Sequence, residues 1–208
     1  MKRTFKLGFT LGLYAAVSCL ALAVVNNFTA PVIKDRELAK EKAGLRVIFR
    51  DAKDFEVVDK KDIDNAISVS KQDLGSISIE AMYEAIGFDD SHLGFAAKIS
   101  GPTYDTTSIL LGLEPDSTIK GVHILSTSDS KGYGSKAADP NYKVSNGKTF
   151  GAQFSGIKPL ESFERGKDYE AITGATMTTN GVSNMILTGS KVIKSYIDLH
   201  DANLVAKE

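Results

Sequence analysis

Residues 170–180 read EAITGATMTTN and mark the point where a loop becomes a long helix. Thr and Asn are common helix caps because their side-chain oxygens accept bonds from first-turn amides, so an ordinary loop-to-helix junction would explain the stretch. A helix N-terminus also stabilises a phosphate through its free N–H groups and macrodipole, and Gly174 and Ala175 would leave room for a bulky group beside the backbone. The residues alone leave both interpretations open.

The pattern after Thr176 predicts one long amphipathic helix. Its apolar residues recur at helical spacing and form a single stripe that would pack on a core, namely Val182, Met185, Ile186, Gly189, Ile193, Tyr196 and Ile197. Packing of this stripe would fix the helix whose N-terminal end follows the TGAT core at residues 173–176. Residues 201–208 are typical of a polar tail.

The middle of the chain predicts a sheet. Four apolar-rich runs, separated by Gly, Pro, Asp and Ser, are typical of strands, and they lie at residues 77–86, 93–99, 107–113 and 119–125. Their short connections favour antiparallel neighbours, because a parallel crossover needs about a dozen or more residues. Residues 81–85 also fit a helix, so that strand has an alternative.

The N-terminal segment predicts a transmembrane helix. No charged residue occurs over residues 7–33, and about 20 apolar residues span a bilayer core as a helix. Lys2, Arg3 and Lys6 precede the run and predict that the N-terminus stays in the cytoplasm, with the remainder outside. A cleaved signal peptide is the alternative, since residues 21–23 read ALA, but the apolar run continues beyond them and favours an anchor.

Two further segments connect the anchor to the sheet. Residues 34–50 predict a juxtamembrane helix from apolar residues near helical spacing. Residues 51–75 are highly charged and predict surface structure, with one short strand at residues 55–58. The whole pattern predicts an α+β chain: one N-terminal transmembrane helix, then a mostly antiparallel sheet domain flanked by helices. The expected division is 1–33, 34–75, 76–200 and 201–208.

Composition excludes several classes of function. The chain has 25 basic and 26 acidic residues, and this balance gives no reason to expect nucleic-acid binding. One cysteine and no Cys/His cluster predict neither a disulfide framework nor a metal site. No glycine fingerprint for a free dinucleotide and no candidate acid–base pair is apparent, so catalytic residues are not expected.

The stretch EAITGATMTT resembles the flavinylation motif of the FMN-binding domain family, whose core is Ser/Thr-Gly-Ala-Thr. In that family the last Thr of the core carries FMN through a phosphoester bond, and that position here is Thr176. The resemblance implies that neighbouring residues also contact the flavin, namely Thr173, Gly174, Ala175 and Thr178. Family members usually have Asp at the position of Glu170.

The resemblance continues in order over residues 77–195. DSKGYG at residues 129–134 resembles the family run Glu-Thr-Pro-Gly-Leu-Gly, with Lys131 and Tyr133 as departures, and FGAQFSG at 150–156 resembles a further signature. A glycine pair usual in the family is replaced by Tyr104-Asp105. The implied flavin contacts in the loop are Asp129, Ser130, Gly132, Tyr133 and Gly134. Physically, the glycines would let backbone approach a planar ring while Tyr133 stacks, although a surface turn with ordinary packing of Tyr133 explains the loop equally well.

The resemblance implies a membrane-bound electron carrier. Among anchored members of the family, the chain resembles the G subunits of Rnf-type ion-translocating oxidoreductases, which relay electrons between ferredoxin and NAD; the C subunits of sodium-pumping NADH:quinone reductases are the alternative. The implied partners are the other membrane subunits and a flavin transferase, and the implied location is the inner membrane with the FMN domain on the extracytoplasmic face. An anchored binding or scaffold domain without flavin is the hypothesis outside the redox class.

Overall fold

The structure is a computed structural model that describes the backbone of residues 2–205 and the side chains of residues 6–200. The chain divides into two compact units, residues 1–42 and 43–208. Helix α1, Lys2–Ile48, accounts for the first unit and contributes its last six residues to the second. The predicted apolar and juxtamembrane helices are therefore consecutive parts of one element.

The first unit presents an apolar surface. Large apolar side chains between residues 7 and 33 are exposed, among them Leu11, Leu20 and Phe28. Among the helices that the structure describes, α1 alone is long and apolar enough to cross a bilayer, with a mean hydropathy of 2.0 over its most apolar window. Helix α1 meets this requirement by its length and composition.

The second unit is built on a five-stranded sheet in the order β1-β2-β3-β4-β5. Every neighbouring pair is antiparallel, as the short connections predicted for β2 to β5. The strands are β1 Ala52–Val57, β2 Ser78–Gly87, β3 His92–Pro102, β4 Thr106–Leu113 and β5 Ile119–Thr127. Residues 81–85 lie inside β2, so the helical alternative for them was wrong.

Both faces of the sheet are covered. Leu110 joins a cluster with Leu45 and Phe49 at the end of α1, whereas its neighbours Ile109 and Leu111 join the main core on the other face. Successive side chains of a strand point to opposite faces. A strand that is buried on both sides has a nearly continuous apolar sequence instead of alternating apolar and polar residues. This explains why the sequence of β2 fitted both a strand and a helix.

Helix α3, Thr176–Val205, supplies the predicted apolar stripe to the main core. Val182, Met185 and Ile193 are fully buried, and a Cβ on Gly189 would lie 2.2 Å from Cδ1 of Ile99, so helix and sheet approach closely there. The stripe was predicted correctly. The helix continues into the predicted polar tail as far as Val205, and residues 206–208 lie outside the described part of the chain.

Residues 60–70 correct the prediction of charged surface. They form helix α2, Lys60–Ser70, which packs against α3 and follows β1. Ile63 and Ala66 are buried and Ile67 packs against the same core, a spacing of three and four residues that marks a narrow helical face. The charged residues of α2 occupy the opposite face and concealed this signal.

Gly181 fixes the first turns of α3 against the β3–β4 turn. A Cβ at this position would lie 2.4 Å from the carbonyl oxygen of Pro102 and 2.9 Å from Cα of Thr103, and neither backbone atom can move freely. We therefore expect Gly181→Ala to lower the free energy of unfolding by about 1–3 kcal/mol through overpacking. Urea unfolding of the variant and of the wild type will measure this loss of stability. Asn180→Ala, at an exposed neighbouring position, is the matched control and should be neutral or stabilising, so an equal loss in both variants would contradict the packing argument.

Candidate functional site

The TGAT core forms the turn that starts α3. Gly174 has a φ of +79°, a left-handed conformation that glycine adopts without steric cost. The Ala175 amide donates to the Ile172 carbonyl at 3.0 Å, and the first helical bond runs from the Thr179 amide to the Ala175 carbonyl at 3.0 Å. Thr176 is consequently the first residue of the helix.

The amides of the first turn of α3 are available to a ligand. Within the described part of the chain, the N–H groups of Thr176, Met177 and Thr178 donate to no protein acceptor. First-turn amides lack an intrahelical partner and carry the positive end of the helix dipole. They are suited to contact an anionic group placed beside Thr176.

The four threonines of this segment have different surroundings. Thr178 is buried and its hydroxyl donates to Asp129, while the buried Thr179 hydroxyl accepts from the Ile172 amide and donates to the Ala175 carbonyl. Thr173 is exposed, and its amide donates to the Tyr142 hydroxyl at 3.3 Å. Thr176 is exposed as well. Only Thr173 and Thr176 thus present accessible hydroxyls.

A cavity of about 460 Å³ lies at the start of α3. It is bounded by the β3–β4 turn, the loop after β5 and the TGAT turn, all at one end of the sheet. Its lining residues are Tyr104, Ser130, Tyr133, Gly134, Gly174, Ala175, Thr176, Met177 and Thr178. None of these side chains carries a formal charge. Its volume lies within the range of about 300–1,000 Å³ that is usual for small-molecule sites.

The structure thus brings together seven of the ten residues that the sequence proposed as flavin contacts. Thr173 and Gly132 are exposed residues outside the lining, and Asp129 is buried beside it. Tyr104 and Met177 line the cavity but were not proposed. The sequence did contain a signal for Tyr104, because this residue stands where the family has a glycine.

Asp129 joins the three segments that border the cavity. One carboxylate oxygen accepts from the Thr103 hydroxyl at 2.7 Å and from the Asp105 amide at 2.8 Å, and the other accepts from the Thr178 hydroxyl at 2.5 Å. Burial acts to raise the pKa of Asp129, but the hydrogen bonds from Thr178, Thr103 and Asp105 hold that pKa below its ordinary value. The carboxylate is therefore an anion fixed by the protein, and its oxygens are occupied.

Gln153 supports the TGAT turn from the other side. Its side-chain oxygen accepts from the Glu170 amide at 2.7 Å, and its side-chain nitrogen donates to the Glu170 carbonyl at 3.1 Å. Asn146 donates to the same oxygen of Gln153 at 3.2 Å. The FGAQFSG segment, part of which forms a short 3₁₀ helix at Ala152–Phe154, thereby fixes the chain just before the motif.

A larger cavity, of about 680 Å³, lies elsewhere along β5. Arg50, Lys120, His123 and Lys148 are among its lining residues, and no residue of the TGAT core is. Size alone would favour this cavity. The smaller one has the accessible threonine hydroxyl and the open first-turn amides, so it is the better candidate for a phosphate-bearing ligand.

Two family models match the chain. The model of the FMN-binding domain matches residues 103–189, which include the TGAT turn, the loop at 129–134 and Gln153. The model of the RnfG N-terminal region matches residues 1–48, which correspond to α1.

Two curated proteins are similar to this chain over most of its length. The G subunit of the Na(+)-translocating ferredoxin:NAD(+) oxidoreductase complex of Acetobacterium woodii is 29% identical over 88% of this chain and 88% of its own length. The G subunit of the ion-translocating oxidoreductase complex of Erwinia tasmaniensis is 24% identical over 87% of this chain and 85% of its own length. The crystal structure of Shewanella oneidensis NqrC matches with 16% identity and a TM-score of 0.49, covering 76% of this chain and 88% of that one.

The lowered pKa of Asp129 has a consequence for stability. A carboxyl group whose pKa is lowered by folding stabilises the fold above its unfolded pKa of about 4, and this contribution is lost as the pH falls through the lower, folded value. We expect Asp129→Asn to lower the free energy of unfolding at pH 7 by about 1.5–3 kcal/mol, because charge-assisted hydrogen bonds are weakened. The wild-type advantage should shrink as the pH falls below about 4.

Urea unfolding between pH 7 and pH 3 measures this difference. The matched control is Asp105→Asn, which removes a neighbouring exposed carboxylate that, among the described residues, bonds the side chain of Thr106 alone. We expect little change in that variant. Equal stability of Asp129→Asn and wild type at pH 7 would contradict the structural role of Asp129.

Proposed function

We propose that this protein is a membrane-anchored flavoprotein that carries FMN on Thr176 and transfers electrons as a subunit of an Rnf-type ion-translocating oxidoreductase complex. The observation that carries the proposal is the position of Thr176. Of the four threonines at residues 173–179, it alone is both exposed and part of the cavity lining in the FMN-binding domain. A phosphoester requires such an accessible hydroxyl.

The described residues fit FMN. The first-turn amides of α3 are available to a phosphate on the Thr176 hydroxyl, and Gly174 keeps the preceding turn free of side-chain bulk. Gly134 lies so close to Asp129 and Thr178 that a Cβ there would be 2.4 Å from an oxygen of each, so the loop wall fits tightly behind the cavity. Ser130 is the remaining exposed serine or threonine in the lining.

A covalent bond would solve the problem of retention. An exposed phosphate at a helix N-terminus gains only about 0.3–1 kcal/mol, whereas micromolar binding requires about 8 kcal/mol. The cavity lining offers no cation, and the nearby anion of Asp129 would repel a phosphate. The hydroxyl of Thr176 would hold the flavin through its ester bond, formed by a flavin transferase of the host.

The bound FMN would supply the redox chemistry, since a flavin accepts and releases electrons. The protein holds the group at the open end of the sheet, where a partner protein of the complex is able to approach. No stand-alone catalysis is proposed. By analogy with the Na(+)-translocating complex of the Acetobacterium relative, the electrons would pass between ferredoxin and NAD while ions cross the membrane.

Two alternatives differ in what they predict. The C subunit of a sodium-pumping NADH:quinone reductase would carry the same flavin, but the match of residues 1–48 to the RnfG N-terminal region favours the Rnf assignment. An anchored scaffold domain would carry no flavin. The mass of the intact chain purified from its own membrane distinguishes a scaffold domain from a flavoprotein, since attached FMN adds one discrete mass.

Attachment can be tested by substitution. We expect Thr176→Ala to abolish covalent flavin, seen as fluorescence of the denatured chain in a gel, because the ester oxygen is removed. The fold should change little, since exposed substitutions usually cost about 0.5 kcal/mol or less. Thr173→Ala and Ser130→Ala are the controls, one an exposed hydroxyl outside the cavity and one inside it, and both should retain flavin. Covalent flavin on the Thr176→Ala chain would refute the assignment.

Membrane topology follows from the sequence of α1. We propose that the apolar part of α1 spans the inner membrane, with Lys2, Arg3 and Lys6 in the cytoplasm and the FMN-binding domain outside. Protease added to intact spheroplasts should therefore digest residues 35–208 and leave the anchor. Digestion only after lysis would reverse the proposed orientation. A cytoplasmic marker protein, protected until lysis, provides the control.

A further inference from the structure

Three large apolar side chains surround the cavity at the start of α3 and remain exposed. Tyr104 is 68% exposed, Tyr133 is 61% exposed and Met177 is 60% exposed. Single exposed apolar residues are normal on a protein surface, but a cluster around a concave site marks a surface that a ligand covers. The three side chains are therefore candidates for contacts with a large apolar group.

Tyr133 is held against the TGAT turn. A Cβ placed on Gly174 would lie 3.5 Å from Cδ1 and 3.7 Å from Cε1 of the Tyr133 ring, so ring and backbone are neighbours. The backbone of Tyr133 is fixed as well, because its amide donates to the Ser130 carbonyl at 3.2 Å and its carbonyl accepts from the Lys136 amide at 3.1 Å. Tyr133 thus borders the cavity from the side of the motif.

Tyr104 borders the same cavity from the β3–β4 turn. The turn closes through a bond from the Thr103 amide to the Asp105 carbonyl at 3.1 Å. Asp129 bonds both residues that flank Tyr104, and Thr103 packs against Gly181 of α3. The backbone of Tyr104 is therefore fixed relative to α3, although the side chain itself is exposed.

We propose that Tyr104 and Tyr133 hold the isoalloxazine ring of FMN by aromatic contacts, with Met177 as a third apolar contact; this inference rests on the proposed function. The ring is planar and aromatic, and aromatic pairs favour offset-stacked or edge-to-face geometry. A methionine thioether also packs well against an aromatic ring. The ester at Thr176 fixes the phosphate end, and the two phenol rings restrict the other end.

The test uses the full flavin-bearing chain, purified from the membrane in detergent. Three readouts follow the ring: its visible circular dichroism, its fluorescence anisotropy and the quenching of its fluorescence by iodide. In Tyr104→Ala and Tyr133→Ala, the visible dichroism and the fluorescence anisotropy of the flavin ring should decrease. The iodide quenching constant should rise about two- to tenfold, which is the change in equilibrium that the loss of one aromatic pair produces. Attached flavin, measured by gel fluorescence, should remain.

Matched variants separate stacking from other effects. Tyr104→Phe and Tyr133→Phe keep the aromatic face and should behave as wild type. If the iodide quenching constant of these variants rises as much as in the alanine variants, the contact depends on the hydroxyl group and the stacking proposal is overturned. Tyr104→Leu and Tyr133→Leu retain apolar bulk and repeat the test if an alanine variant is unstable. Phe88→Ala is the control, since Phe88 is 79% exposed in the β2–β3 turn, at the opposite end of the sheet.

The outcomes distinguish the two levels of the proposal. A loaded chain whose ring signals are unchanged in both alanine variants, and in the Leu variants, overturns the role of the tyrosines and leaves the attachment intact. A wild-type chain without flavin overturns the proposed function and this inference with it. Loss of ring protection in the alanine variants, with unchanged attachment, supports both.

Discussion

One buried carboxylate organises the candidate site. Asp129 bonds the β3–β4 turn through Thr103 and Asp105 and the first turn of α3 through Thr178. Three chain segments that have no contact in sequence are thereby fixed at one end of the sheet. The burial of a charge is unfavourable unless hydrogen bonds compensate for it, and the bonds that compensate here are the ones that define the cavity wall.

This arrangement determines what the cavity can do. The carboxylate stabilises the start of α3, as an anion does at a helix N-terminus, but its charge also makes the region less suitable for a free phosphate. The cavity lining is uncharged and includes two tyrosines and a methionine. Its chemistry fits the ligand that we propose, an aromatic ring held by contact surface and a phosphate that would be bonded to the chain instead of paired with a cation.

Local patterns were sufficient for most of the fold. The strands β2–β5 and the stripe of α3 follow from period and spacing, because each buried face repeats regularly along the chain. Helix α2 was missed, since only Ile63, Ala66 and Ile67 mark its narrow buried face. The loop at 129–134 was recognised by resemblance, but the bonds of Asp129 join residues up to 49 positions apart and leave no local pattern. Tyr104 was missed as a cavity residue although it replaces a glycine of the family, because only the folded turn brings it to α3.

The sequence separation within the site has a consequence for the order of events in biogenesis. Contacts between distant segments form late in folding, because the entropy of closing long loops must be overcome first. The cavity around Thr176 depends on segments near residues 104, 130 and 175, so it is complete only when the domain has folded. An enzyme that recognises this folded surface would modify mature chains and pass over nascent ones, and the attached flavin would then serve as a record of correct folding.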